Sequence, residues 1–167
     1  MKIKKLLLAV TAIVAFAMNA TAQTIPSYIP ANGLVGYWPF NGNANDESGN
    51  GNHGTVNGAT LTTDRNGLLN KSFEFNGNNI TVAHNNSLNI SNSFSVCFWY
   101  LSNSNYFAQD LLMKGPDNVP NIWLIRQHTY SINPNVDFAF KTNSNVGVGM
   151  GFPYPPINTW SFVVATV

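Results

Sequence analysis

The strongest constraint on this chain is its punctuation. From residue 33 onward, short apolar-aromatic runs alternate with clusters of Asn, Gly, Ser and Pro. No stretch in that region carries an apolar stripe at helical spacing with caps at its ends. The runs fall at 34–38, 54–61, 72–75, 80–82, 94–101, 111–113, 122–126, 136–140, 146–148 and 160–167. Between them stand NGNANDESGNGNHG, NGNN, HNNS, SNSN, GPDNVPN and PYPPIN. Such residues bond to their own backbone or tolerate positive φ, so each cluster turns the chain and each run becomes a strand. The spacing predicts an all-β fold, with single helical turns near Ser87 or Pro116.

Composition narrows the function classes. Aromatics make up 13% of the 167 residues, too many for a disordered chain. Charged residues are only 9%, against about 25% in an average soluble domain. That leaves no Lys/Arg footprint for nucleic acid. A coiled coil is excluded too, because it needs Ala, Glu, Lys, Leu and Arg in bulk. The length is that of one domain.

Alternation assigns faces. In 94–101, Phe94, Val96, Phe98 and Tyr100 oppose Ser95, Cys97, Trp99 and Leu101. Both sets are mostly apolar, so this strand is expected to be covered on both sides. In 72–75, Phe73 and Phe75 face in; in 136–140, Phe138 and Phe140 oppose Asp137 and Ala139. Cys97, the sole cysteine, cannot form an internal disulfide and is expected to act as a small buried hydrophobe. Trp38, Trp99 and Trp160 are expected in the core.

The N-terminus has the form of a signal peptide over 1–22. Lys2, Lys4 and Lys5 precede an apolar run at 6–18, and Ala20-Thr21-Ala22 follows as a cleavage site. The apolar run is short of the roughly 20 residues that span a bilayer. Removing the leader takes eight basic residues to five against seven acidic ones, a charge of −2. The mature chain then has no membrane span and is expected to be secreted or held at the cell surface. Residues 23–32 form a linker that Pro26 and Pro30 keep extended. At the other end, WSFVVATV at 160–167 is a strand with no turn or polar cap after it. The expectation is a domain interrupted before its last strands.

The ordered string is specific. GLVGYWPF at 33–40, DESGNGNHG at 46–54, SFEFNG at 72–77, ITV at 80–82, FSVCFWY at 94–100, LMKG at 112–115 and NTWSFVV at 158–164 follow one another. In order and spacing this resembles the laminin G-like domains of the concanavalin A-like lectin/glucanase superfamily, in the version common in secreted bacterial proteins. The resemblance covers 33–167. It implies a two-sheet antiparallel β-sandwich, a jelly roll, incomplete at its C-terminal end.

Candidate chemistry follows. Some enzymes of that superfamily hydrolyse glycans with two clustered carboxylates. Here Glu47 and Glu74 are the only glutamates, Asp110, Asp117 and Asp137 stand isolated in sequence, and His53, His84 and His128 have no nucleophile motif near them. The residues do not spell an active site, and the chain is expected not to be an enzyme. Calcium, which wants six to eight oxygens, has two candidate loops. The first holds Asp46, Asn50 and Asn52; the same residues also make ordinary turns. The second holds Asp117, Asn118 and Asn121, where the resemblance implies an acidic rim-loop ligand; turn chemistry accounts for it equally.

Glycan binding needs flat aromatic faces and planar amides. Tyr106, Phe107, Trp123, Tyr130, Phe152 and Tyr154 are the candidate wet aromatics, and Trp123, Arg126, His128, Tyr130 and Tyr154 form the candidate ligand set. Trp123 and Phe152 are equally candidates for the core. The sequons at Asn70, Asn79, Asn85 and Asn89 carry meaning only in a eukaryotic secretory path. The expected function is a secreted, non-catalytic module that binds polysaccharide or a cell-surface glycan within a larger protein. The alternatives are an adhesive domain that binds an extracellular protein, or the N-terminal accessory module of a glycoside hydrolase.

Overall fold

A computed structural model describes residues 25–90, 93–104, 109–115, 122–128, 135–141 and 147–166. The signal-peptide segment and the loops holding Tyr106, Asp117 and Tyr130 lie outside these residues. The described chain is strand and turn, as expected, apart from one 3-10 turn at Asn86–Leu88 around Ser87. All strand pairs are antiparallel. No helix among the described residues is long and apolar enough to cross a membrane. The strands group into two compact units, divided between Leu88 and Asn89.

The first unit holds β1 (Gly54–Asn57), β2 (Thr60–Thr62), β3 (Ser72–Glu74) and β4 (Asn79–Val82). β1 pairs with β4, and β2 with β3. The run expected over 54–61 breaks at Gly58, whose φ of 86° turns the chain between β1 and β2. The 34–38 run, expected as a strand, forms none. Its backbone groups are taken instead by side chains of the 41–53 loop and, at the Tyr37 carbonyl, by the Glu47 N–H at 2.8 Å. Asp46 Oδ1 accepts from the Tyr37 N–H at 2.9 Å, and the Asn50 amide donates to the carbonyls of Leu34 and Val35 at 2.8 and 3.1 Å. A segment whose polar backbone is satisfied that way gains nothing from a ladder. The linker is not simply extended either: the Ile29 N–H closes a turn onto the Pro26 carbonyl, and the Leu34 N–H another onto Ala31.

The second unit holds β5 (Ser95–Tyr100), β6 (Gln109–Lys114), β7 (Ile122–His128), β8 (Asn135–Lys141), β9 (Gly147–Pro153) and β10 (Ser161–Thr166). β6-β7-β8-β9 form one four-stranded sheet, and β5 pairs with β10 in another. Their alternation feeds one core. Ile125, Val136, Phe138 and Ala165 are buried, with Phe94, Val96, Phe98, Tyr100, Leu111, Trp123, Phe152 and Tyr154 packed against them. Full burial of a side chain such as Ile125 or Phe138 stabilises by about 1.5–3 kcal/mol.

The other face of β5 departs from expectation. Cys97 is exposed, as are Trp99 and Leu101. β10 continues this open face with Phe162 and Val164, and the Trp99 and Phe162 rings lie 5.1 Å apart. The strand therefore has one covered face. An apolar pattern on both faces shows what a strand could bury, not what covers it.

Candidate functional site

Three groups of residues carry the chemistry, one in the first unit and two in the second. In the first unit, Asp46 is the hub of the 41–53 loop. It is 5% exposed, and Asn52 is 2% exposed. Asp46 Oδ1 accepts the N–H groups of Tyr37 and Ser48, each at 2.9 Å, and Oδ2 accepts the Asn52 N–H at 2.9 Å. Its own N–H donates to His53 Nδ1 at 3.1 Å. Asn52 passes the network on: its amide donates to the Val35 carbonyl and the Ser87 hydroxyl, both at 3.0 Å, and its carbonyl accepts the Trp38 indole N–H at 2.8 Å. Phe40 sits at φ 55°, where bulky residues rarely go, its ring edge-on to Phe73 at 5.0 Å.

Burial pushes the Asp46 carboxyl up, but the N–H groups of Tyr37, Ser48 and Asn52 and the Ser48 hydroxyl outweigh it and hold its pKa below the ordinary value. These donors also bear on calcium. The Asp46 oxygens face N–H groups rather than an open cage of oxygens, and Asn50 turns its amide nitrogen, not its oxygen, onto the backbone. One buried acceptor in the loop, Glu47 Oε2, has no partner. A single such oxygen falls far short of a calcium shell, so the residues of this loop do not fit the ion. Among the described residues no group of His, Cys, Asp or Glu is placed to hold a metal. Asp117, Asn118 and Asn121 lie outside the described residues.

In the second unit, the candidate ligand set splits across β7. Ile125 and Gln127 are fully buried, and alternation puts Trp123 on their side. Trp123 packs against the core beside Phe94, ring centroids 5.6 Å apart, with its indole N–H buried and unpartnered. Tyr154 also packs inward, donating its hydroxyl proton to the Ser102 Oγ or the Ser104 carbonyl, at 2.6 and 2.7 Å. Phe152 joins the same core. Trp123 and Phe152 thus take the core alternative, and Tyr154, expected on a wet surface, packs with them. His128 ends β7, and Tyr130 falls outside the described residues.

Arg126 lies on the opposite face of β7, and there the structure brings together residues that look isolated in sequence. In register, Arg126 stands between Asp110 of β6 and Asp137 of β8, and Asp137 stands opposite Gly151 of β9. Arg126 Nε and Nη2 grip Asp110 Oδ1 and Oδ2 at 2.5 and 3.0 Å, a two-pronged contact. The two side chains stay 30% and 31% exposed. In the next row Ala139 pairs with Gly149. The outer side of this sheet thus carries an acid–guanidinium–acid row, bordered on β8 and β9 by Ala139 and Gly149 and on β6 and β7 by Met113 and Leu124. Asp110 and Asp137 were not expected at any site. The signal that could have found them is opposite charge at matching heights on neighbouring alternating runs.

A scan against protein-family models matched none, and searches of curated proteins and of solved structures likewise found no match.

Proposed function

We propose that the chain is a secreted, non-catalytic carbohydrate-binding module, built as a laminin G-like antiparallel β-sandwich, and that the outer face of β6-β7-β8-β9 is its glycan surface. The sandwich reading is supported by the second unit, whose two sheets supply one shared core. The single observation that carries the binding reading is the row Asp110–Arg126–Asp137. A guanidinium locked in two contacts is planar and pre-oriented, so little side-chain freedom is lost when a ligand arrives. Carboxylate and guanidinium edges at the surface accept from and donate to the vicinal hydroxyls of a sugar. The small residues of β8 and β9 beside the row let a flat ring approach the backbone. Two carboxylates against one guanidinium favour neutral or amino sugars over acidic ones.

The test is a glycan array and a polysaccharide pull-down with the full chain, its Arg126→Ala and its Asp110→Ala variants. Retention of a neutral or amino-sugar polymer that both substitutions abolish, with melting temperature kept, supports the reading. No retention on any glycan, or retention indifferent to Arg126, overturns it. A second reading, an adhesive domain for an extracellular protein, draws on the open apolar face of Trp99, Phe162 and Val164, which are 44%, 52% and 57% exposed.

A further inference from the structure

The chain holds six Asn-Gly pairs, at Asn32, Asn41, Asn50, Asn57, Asn66 and Asn76. Asn-Gly is the dipeptide most open to self-modification, because glycine has no side chain to shield its backbone nitrogen. The reaction needs only water. The Gly nitrogen loses its proton to base and attacks Cγ of the asparagine. A C–N bond forms, the Cγ–Nδ2 bond breaks, and ammonia leaves from a five-membered succinimide. Water then opens the ring at either carbonyl, giving aspartate or isoaspartate. The side-chain amide must be free to swing onto the next nitrogen, so any hydrogen bond that anchors it slows the reaction.

The six amides are anchored very differently. Asn50 Nδ2 donates to the Leu34 carbonyl, the Val35 carbonyl and the Ser48 hydroxyl at 2.8, 3.1 and 3.1 Å. Asn57 Nδ2 donates to Asn79 Oδ1 and Thr81 Oγ1 at 2.8 and 3.0 Å, and its own backbone is paired within β1. Asn41 Nδ2 donates to Glu47 Oε1 at 2.7 Å. Asn66 Nδ2 donates to Asp64 Oδ2 at 3.3 Å, and the nucleophile itself is tied, since the Gly67 N–H donates to the Asp64 carbonyl at 3.1 Å. Asn32 and Asn76 are exposed, and their side chains make no hydrogen bond among the described residues. Gly33 and Gly77, which follow them, sit in open turns at φ 78° and 71°.

We infer that Asn32 and Asn76 are the two positions at which the folded protein converts its own asparagine to aspartate and isoaspartate, while the other four Asn-Gly pairs are held back by their amide anchors. One net hydrogen bond slows conversion about fivefold, so the doubly and triply anchored Asn57 and Asn50 should lag furthest. Conversion at Asn76 adds a negative charge and, as isoaspartate, an extra backbone carbon to the β3–β4 turn.

The test is peptide mapping by mass spectrometry of the folded chain held in mildly alkaline buffer, beside the same chain in denaturant. The expected result is conversion at Asn32 and Asn76 ahead of the other four when folded, and near-equal conversion at all six when unfolded. Asp64→Ala removes the side-chain anchor of Asn66 and leaves the backbone carbonyl that holds the Gly67 N–H, so it should raise the Asn66 rate about fivefold. Equal rates at all six in the folded chain, or Asn50 or Asn57 leading, would overturn the inference. So would an Asn66 rate that Asp64→Ala leaves unchanged while circular dichroism shows the fold intact.

Discussion

Asp46→Asn is the sharpest probe of how the first unit is held. The amide has nearly the shape of the carboxylate, so packing is preserved. One of its two heads becomes a donor, however, and beside the Ser48 hydroxyl Asp46 accepts from three backbone N–H groups, which cannot turn round to accept. If the carbonyl stays on Tyr37 and Ser48, the NH2 points at the buried Asn52 N–H and that bond is lost. A hydrogen bond to a charged group contributes about 1.5–3 kcal/mol, and the two retained bonds weaken as the charge goes. A net loss of about 3 kcal/mol follows, or a fall in melting temperature on the order of 10–20 °C in a unit of this size. Thermal melts followed by Trp38 fluorescence read it, because the Trp38 indole N–H is bonded to the Asn52 carbonyl.

The pH dependence supplies the second arm. The folded pKa of Asp46 lies below its ordinary value of 3.8. Its contribution is therefore complete above about 3.8 and lost as pH falls through the lower, folded value. Wild type should lose melting temperature in that acid window, the variant should not lose this part, and the two curves should converge. An Asp46→Asn protein that melts within about 2 °C of wild type at neutral pH would refute the reasoning. A chelator that alone brings wild type down to the variant's melting temperature would show that a cation, not backbone N–H groups, holds the loop.

Other perturbations test other joints. Gly36→Ala places a methyl group inside the Trp38 indole; a loss of about 1–3 kcal/mol and a shifted tryptophan emission are expected. Two neighbouring tyrosines should respond oppositely. The Tyr100 hydroxyl is buried and unpartnered, with its pKa pushed up to about 12 by burial and by Tyr154. Tyr100→Phe should be neutral or stabilise by up to about 1 kcal/mol in a denaturant titration. Tyr154→Phe gives up the hydroxyl's contacts to Ser102 and Ser104, and should cost about 1–2 kcal/mol in the same titration.

Much of the fold is legible in the residues, and the reason is local. Period-2 alternation in Phe94, Val96, Phe98 and Tyr100, and in Val136 and Phe138, marks the inner face whatever lies opposite it. The turn at Gly77 announces itself, because a positive φ there favours glycine, whereas the turn at Gly58 is hidden inside what the pattern reads as one run over 54–61. What local pattern cannot carry is the destination of a polar side chain. Asp46 and Asn52 have the composition of a cation loop, yet Asp46 accepts from the N–H groups of Tyr37, Ser48 and Asn52, and Asn52 donates to the Val35 carbonyl and the Ser87 hydroxyl. Nor can pattern carry what covers a face: Trp99 and Leu101 alternate like core residues and stand open.

The acid–guanidinium row was illegible for a more particular reason, a single irregularity in β6. Met113 stands opposite Leu124, and Leu112 opposite Ile125. A regular ladder continued from there would set Leu111 against Arg126 and turn Asp110 inward against the buried Gln127. Instead the register shifts between Asp110 and Leu112. Leu111 is the extra residue and packs into the core, while Asp110 swings to the outer face and meets Arg126. A one-residue slip exchanges the faces of everything beyond it. Here that exchange keeps a carboxylate at the surface and sets it beside the Arg126 guanidinium, which holds it in two contacts. The charge pair and the bulge are thus one feature: the strand tolerates an unpaired residue because the alternative buries Asp110 against Gln127. The surface that we propose meets a glycan exists only because the ladder is imperfect.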